Sequence, residues 1–109
     1  MALPLNVFKT VTQVASGSAT TIYTAPVGYS GVILMAQAAN TSDTTAHTIT
    51  LSHKRSSTTT ELTKSTAIEA NDSMGLLSGK LVLETGDSLE LSGSDAAIKV
   101  TISILETLN

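Results

Sequence analysis

The stretch IKVTISI, residues 98–104, decides the fold class, because apolar and polar side chains alternate along it without a break. Successive side chains of a β-strand point to opposite faces of a sheet, so this period of two places one set in a core and the other towards solvent. Residues 48–52 repeat the pattern with Ile49 and Leu51. The inward set of the first stretch is predicted to be Ile98, Val100, Ile102 and Ile104.

Outward from this strand, the chain divides into about eight short strands separated by turn-forming residues. They are predicted at 6–14, 20–24, 32–39, 48–52, 59–64, 81–84, 88–92 and 98–104. Thr85-Gly86-Asp87 is typical of a hairpin turn, and residues 66–71 could form one short helical turn. The pattern predicts an all-β fold: a single-domain antiparallel β-sandwich over residues 1–109, with a jelly-roll or an immunoglobulin-like strand order.

Composition excludes several classes of function. The chain has 109 residues, a net charge of −3 and only six Lys and Arg residues, which are scattered, so a nucleic-acid surface is not expected. It has no cysteine, which rules out disulfides and thiolate chemistry. No secretion signal or membrane-spanning segment is expected either, and the protein is predicted to fold in a cytoplasm.

Residues 32–39 are apolar on both faces of the predicted strand, with Gln37 as the main exception. One face should meet the core, and the other should meet a loop, an arm or a neighbouring subunit. Residues 1–5 are short and apolar and form either a docking arm or a disordered tail. The pair Lys54-Arg55 could contact an acidic partner. The predicted interface residues are Leu3, Leu5, Val32, Leu34, Ala36, Ala38, Lys54 and Arg55.

Motifs that could carry chemistry are weak, and neither a catalytic residue, a metal site nor a cofactor is predicted. Gly86-Asp87-Ser88-Leu89 matches the four letters that name a family of serine esterases, but no histidine follows it to activate the serine. It is interpreted as a turn that leads into a strand. His47 and His53 are too far apart on one strand to bind one ion together, although symmetry could gather either residue from several subunits.

Two parts of the chain resemble small structural proteins of tailed bacteriophages. Residues 21–28 with 32–40 form one part, and residues 83–89 with 98–106 form the other. The start, Ala2-Leu3-Pro4-Leu5-Asn6-Val7-Phe8, is similar to virion proteins of phages that infect marine bacteria and cyanobacteria. The resemblance implies a β-sandwich that decorates or cements a capsid, or that lies in a neck, tail or fibre, and it carries no catalytic residues.

The leading hypothesis is therefore a non-enzymatic capsid decoration or cement protein that binds the lattice of the major capsid protein in the virion. A homo-oligomer is expected, with a trimer favoured because it could occupy three-fold positions of a capsid. A neck, tail or fibre position is the nearest alternative. A carbohydrate-binding sandwich is the second, although sugar sites use aromatic platforms and only Phe8, Tyr23 and Tyr29 are available.

Overall fold

The computed structural model describes residues 5–109. Leu3 and the rest of the predicted arm before Leu5 lie outside the described residues. The strands are β1 (Asn6–Val14), β2 (Thr20–Thr24), β3 (Tyr29–Asn40), β4 (His47–Arg55), β5 (Thr58–Ile68), β6 (Ser73–Gly75), β7 (Leu81–Leu83), β8 (Ser88–Gly93) and β9 (Ile98–Leu108).

The nine strands of residues 5–109 form two antiparallel sheets, which confirms the predicted β-sandwich. The five-stranded sheet has the order β1-β9-β3-β6, and β7 also pairs with β3. The four-stranded sheet has the order β2-β8-β4-β5. No helix of residues 5–109 is long and apolar enough to cross a membrane.

The strand pairs are nested. β1 pairs with β9, β2 with β8, β3 with β6 and β7, and β4 with β5, as if one long hairpin were folded over on itself. An immunoglobulin domain instead keeps its first, second, fourth and fifth strands in one sheet. The observed order therefore differs from the immunoglobulin alternative.

Two local predictions are wrong. The turn at Thr85-Gly86-Asp87 does not close a hairpin, because β7 pairs with β3 while β8 pairs with β2 and β4 in the other sheet. Gly86 has a φ of 90°, which suits a tight crossing between the sheets. Residues 66–68 continue β5 instead of forming a helical turn, since they pair with β4 as far as Ile68.

The core lies between the sheets and contains the residues that the alternation predicted. Ile49 and Leu51 of β4 are fully buried and belong to the same core cluster as the inward set of β9. The largest fully buried apolar side chains of the described residues are Ile33, Ile49, Leu51, Leu83, Leu89, Leu91, Ile98, Val100, Ile102 and Ile104.

In β3, the inward residues are odd-numbered before a bulge and even-numbered after it. The register against β9 shifts between Ile33 and Met35, so Ile33 is buried on one side of the bulge and Ala36 and Ala38 on the other. Ala36 is 3% exposed and Ala38 is fully buried. Their predicted place on an outer contact face is therefore corrected: both methyl groups point into the core. A simple alternation across residues 32–39 could not reveal this, because one extra residue reverses the two faces.

Candidate interaction surface

The outer face of the five-stranded sheet carries a row of apolar side chains. The register places Phe8 of β1 opposite Leu105 of β9, Leu105 opposite Val32 of β3, and Val32 opposite Val82 of β7. Directly opposed residues of an antiparallel sheet share a face, so these four side chains cross the sheet in one line. Phe8 is 74% exposed and Val82 is 56% exposed at the two ends.

The bulge of β3 widens this row. Leu34 and Met35 lie between the inward residues Ile33 and Ala36, and Met35 is 39% exposed. Leu34 also lines a surface depression together with Phe8. We call the side chains of the row and the bulge the outer apolar face: Phe8, Val32, Leu34, Met35, Val82 and Leu105.

The four-stranded sheet presents a polar outer face. Glu90 of β8 lies between Thr21 of β2 and Ser52 of β4, and Thr50 lies opposite Ser92. Thr and Ser suit the solvated side of a sheet. Among the strands of residues 5–109, the large apolar side chains that are exposed, Phe8, Val14, Met35 and Val82, all belong to the five-stranded sheet, while Val27 is exposed in the loop between β2 and β3.

The positive charges of the predicted basic pair, Lys54 and Arg55, are balanced by acidic side chains of the same chain. Arg55 donates from Nε to Asp87 Oδ1 at 2.9 Å and from Nη2 to Asp87 Oδ2 at 2.7 Å. Arg55 Nη2 also donates to Glu84 at 2.7 Å. Lys54 Nζ lies 3.5 Å from Glu90 Oε2. Contact of Lys54 and Arg55 with an acidic partner stays a prediction, but their charges already have partners.

Asp87 is the centre of this polar cluster and is only 3% exposed. It accepts the Glu84 backbone N–H at 3.0 Å, and His53 Nε2 lies 3.1 Å from Oδ2. The hydrogen bonds from Arg55 hold the pKa of the Asp87 carboxyl well below its usual range, against the opposing effect of burial, with help from His53 and Glu84. The cluster ties the loop before β8 to the end of β4.

The residues of the serine-esterase letters contact their neighbours as follows. Asp87 accepts hydrogen bonds from Arg55, and Ser88 Oγ shares a 2.9 Å hydrogen bond with Thr24 Oγ1. His47 lies at the other end of β4, where its Nε2 is 3.9 Å from Asp95. Among residues 5–109, no three His, Cys, Asp or Glu side chains are grouped so that they could hold a metal ion.

A second buried polar contact joins the two sheets. Tyr23 donates to Glu106 Oε2 at 2.6 Å, and Lys9 Nζ lies 3.3 Å from the same oxygen. Burial, together with the hydrogen bond and the charge of Glu106, raises the pKa of Tyr23. A Cβ on Gly31 would lie 2.9 Å from the Tyr23 ring, so only glycine leaves room for it.

Sequence reasoning did not identify this contact, although a signal was present. The alternation of β9 continues beyond Ile104 and assigns Glu106 to the inward side. A carboxylate on an inward position requires a partner, because an unpaired buried charge is costly. Which side chains would supply it depends on the pairing of distant strands.

The predicted interface residues are thus divided among several places. Val32 and Leu34 lie on the outer apolar face, and Leu5 is exposed beside the start of β1. Phe8, Met35, Val82 and Leu105 belong to the same face and were not predicted. They come from separate strands, and only the register of the sheet brings them together.

The comparisons with known proteins give a likeness of fold. No family model matches the sequence, and no curated protein matches it. A solved structure of Bacillus endospore appendages, described as disulfide-linked pili, is similar over 95% of this chain and 88% of that chain, with a TM-score of 0.52 and 15% identity. Identity at this level shows the fold alone.

A pentameric capsid protein from metagenomic phage sequences is similar over 90% of this chain and 60% of that chain, with a TM-score of 0.47 and 17% identity. The present chain therefore spans less than two thirds of that protein.

Proposed function

We propose that this protein is a non-enzymatic structural subunit of a tailed-phage virion, and specifically a decoration or cement protein that binds the major capsid protein lattice. The outer apolar face is the observation that carries the proposal. Phe8 and Val82 expose most of their side chains at opposite ends of one row. Covering this exposed apolar area with a partner protein would be energetically favourable. The resemblance of the sequence to phage structural proteins supplies the kind of partner.

The polar groups support a structural role over a catalytic one. Asp87 and Arg55 satisfy each other, and Tyr23 and Glu106 bridge the sheets. In the described part of the chain, every buried side-chain nitrogen and oxygen atom has a hydrogen-bond partner. An enzyme usually keeps reactive groups in environments that perturb their pKa values beside a substrate cleft. Here the perturbed groups hold strands together.

The nested strand pairing supports the jelly-roll interpretation. A jelly roll is a double-sheet sandwich with two Greek keys, and it recurs in viral capsid domains. We interpret β1 to β9 as this fold, with β6 and β7 dividing one of its strands into two short pieces.

Attachment to a lattice would strengthen the overall binding even if each single contact is weak. Each subunit offers one apolar face, and a repeated array of sites turns weak single contacts into stable decoration through multivalency. A homo-oligomer adds further linked contacts. The trimer expected from the sequence stays a prediction, and the molecular mass of the purified protein in solution tests it.

The proposal is tested by mixing the purified protein with separated heads and tails of the phage that encodes it and sedimenting the particles. Binding to undecorated heads is expected, and Val82→Lys should weaken it at least tenfold. Thr21→Lys, on the polar face of the other sheet, adds the same charge and should bind like the wild type. Binding to tails alone would move the role to the neck, tail or fibre.

Carbohydrate binding is the competing function that one observation favours. The depression beside β1 is lined by the aromatic residue Phe8 and by the polar residues Thr10 and Ser103, among others. A ring beside hydrogen-bonding groups can stack on a sugar. A glycan array with hits that free sugar competes away, and that Phe8→Ala abolishes, would favour this function over particle binding.

A further inference from the structure

The outer edge of β1 is an unpaired strand edge. β9 pairs with one side of β1, and within residues 5–109 no strand pairs with the other. Leu108 N–H donates to the Leu5 carbonyl at 2.8 Å, just before β1 begins. Ala15 N–H donates to the Ile98 carbonyl at 2.9 Å, just after β1 ends. Bonding alternates along an antiparallel ladder, so odd-numbered residues bond to β9 and even-numbered residues direct their N–H and C=O groups outward.

β1 is the most regular of the sheet edges, although β5, with 11 residues, is longer. It keeps its register with β9 over nine residues without a shift. β2 has five residues and a register shift, β5 has two shifts against β4, and β6 and β7 have three residues each. Proteins blunt exposed edges with short strands, bulges and charges because such edges recruit other strands. β1 keeps one such charge, Lys9, and Glu106 neutralises it at 3.3 Å.

We propose that β1 pairs with β1 of a second copy of this chain, antiparallel and about a two-fold axis, so that two five-stranded sheets become one continuous sheet. The register sets Phe8 opposite Val14 of the partner subunit and Thr10 opposite Thr12 of the partner subunit. Val11 lies opposite Val11 of the partner subunit on the axis. The even-numbered pairs then exchange the outward N–H and C=O bonds.

The side chains of β1 favour this register. Phe8 is 74% exposed and Val14 is 48% exposed on the outer side, and each would cover the other. Aromatic with β-branched pairs and Thr with Thr pairs are among the stabilising cross-strand combinations. Centring the pair on Lys9 would oppose two ammonium groups. Centring it on Thr10 would place Val14 opposite the polar Asn6.

A second copy fits this edge because the sequence of β1 is complementary to itself in reverse. A two-fold contact is isologous and closes after two subunits. The pairing needs no capsid or other virion protein, so it is independent of the proposed function. One edge of this kind cannot join three chains in a ring, which makes a trimer the competing outcome.

Cysteine cross-linking tests the register, because the natural chain has no cysteine. Val11→Cys places two thiols on the axis, where the Cα atoms of a non-hydrogen-bonded pair lie about 4.5 Å apart, within the range of a disulfide. Mild oxidation should give a covalent dimer in high yield. Lys9→Cys is the matched control: its two copies would lie about 13 Å apart along the strands and should not link. Equal linking of both variants would overturn the register.

Sedimentation velocity tests the pairing without any cross-link. The wild type is expected to move from monomer to dimer as its concentration rises to the millimolar range. Thr10→Pro removes one outward N–H, which an edge strand tolerates, and should stay monomeric with an unchanged melting temperature. Thr10→Val keeps the N–H and should dimerise. A wild type that is monomeric throughout, or that forms only trimers, would overturn the proposal, whether or not Thr10→Pro folds.

Discussion

At the scale of single residues, one polar contact joins the two sheets and another joins two neighbouring strands at the end of the four-stranded sheet. Tyr23 of one sheet reaches Glu106 of the other at 2.6 Å, and Gly31 leaves the space that the ring occupies. Arg55 and Asp87 tie the end of β4 to the start of β8. Each contact fixes a geometry that apolar packing alone leaves free, because hydrogen bonds are directional.

Gly31→Ala should destabilise the protein by about 1–3 kcal/mol, the usual cost of forcing an extra carbon into a packed core. The added Cβ would lie 2.9 Å from ring atoms of Tyr23. Urea unfolding measures the loss. Gly17→Ala is the control, since a Cβ there meets nothing within 4 Å. Equal stability of the two variants would show that the ring does not need the space.

Acid should weaken the fold through Asp87. Its pKa is lower in the folded protein than in the unfolded chain, so its stabilising contribution is complete above the ordinary Asp pKa of about 3.9 and is lost as the pH falls below it. The melting temperature should therefore drop below about pH 4. Asp87→Asn should melt lower at neutral pH and lose part of this acid dependence. Asp43→Asn, in an exposed loop, should keep the wild-type profile.

At the scale of the elements, β3 separates the core from the candidate contact surface. Its inward side chains Ile33 and Ala38 are fully buried, while Met35 is exposed on the other side of the bulge. The sequence of residues 32–39 shows only an apolar run. The bulge that assigns each side chain to a face results from pairing with β9, which is far away in the chain.

Substitutions on the two sides should therefore behave differently. Ala38→Asp places a charge in the core and should unfold the protein or cost several kcal/mol, because no partner awaits the carboxylate. Val82→Asp, on the outer apolar face, should change the free energy of unfolding by less than about 0.5 kcal/mol. Urea denaturation compares them. Equal destabilisation would mean that the outer side is also covered within the chain.

Strands were predictable to the extent that they alternate. The inward sets of β4 and β9 follow from period-two patterns, and the bounds of β1 and β2 follow from the turn residues beside them. β6 was not predicted, because Ser73 and its neighbours have turn composition and only β3 makes them a strand. The partners of β7 and β8 were wrong because a Gly-Asp turn has the same sequence whether it closes a hairpin or crosses between sheets.

At the scale of the whole molecule, the two faces of the sandwich differ in chemistry. The five-stranded sheet exposes Phe8, Met35 and Val82, whereas the four-stranded sheet exposes Thr, Ser and paired charges. Such asymmetry is expected of a subunit with one face in contact with an assembly and the opposite face exposed to solvent. Of the residues predicted for an apolar contact, Val32 and Leu34 lie on the outer apolar face, and the remaining members of that face converge only in the folded sheet.

A cryo-electron microscopy map of the intact particle tests the central claim most directly, because it shows which face of each subunit is covered. We expect the outer apolar face, with Phe8 and Val82 at its ends, to lie against another virion protein and the polar face of the four-stranded sheet to face solvent. A subunit whose outer apolar face points into solvent in the assembled particle would contradict the account.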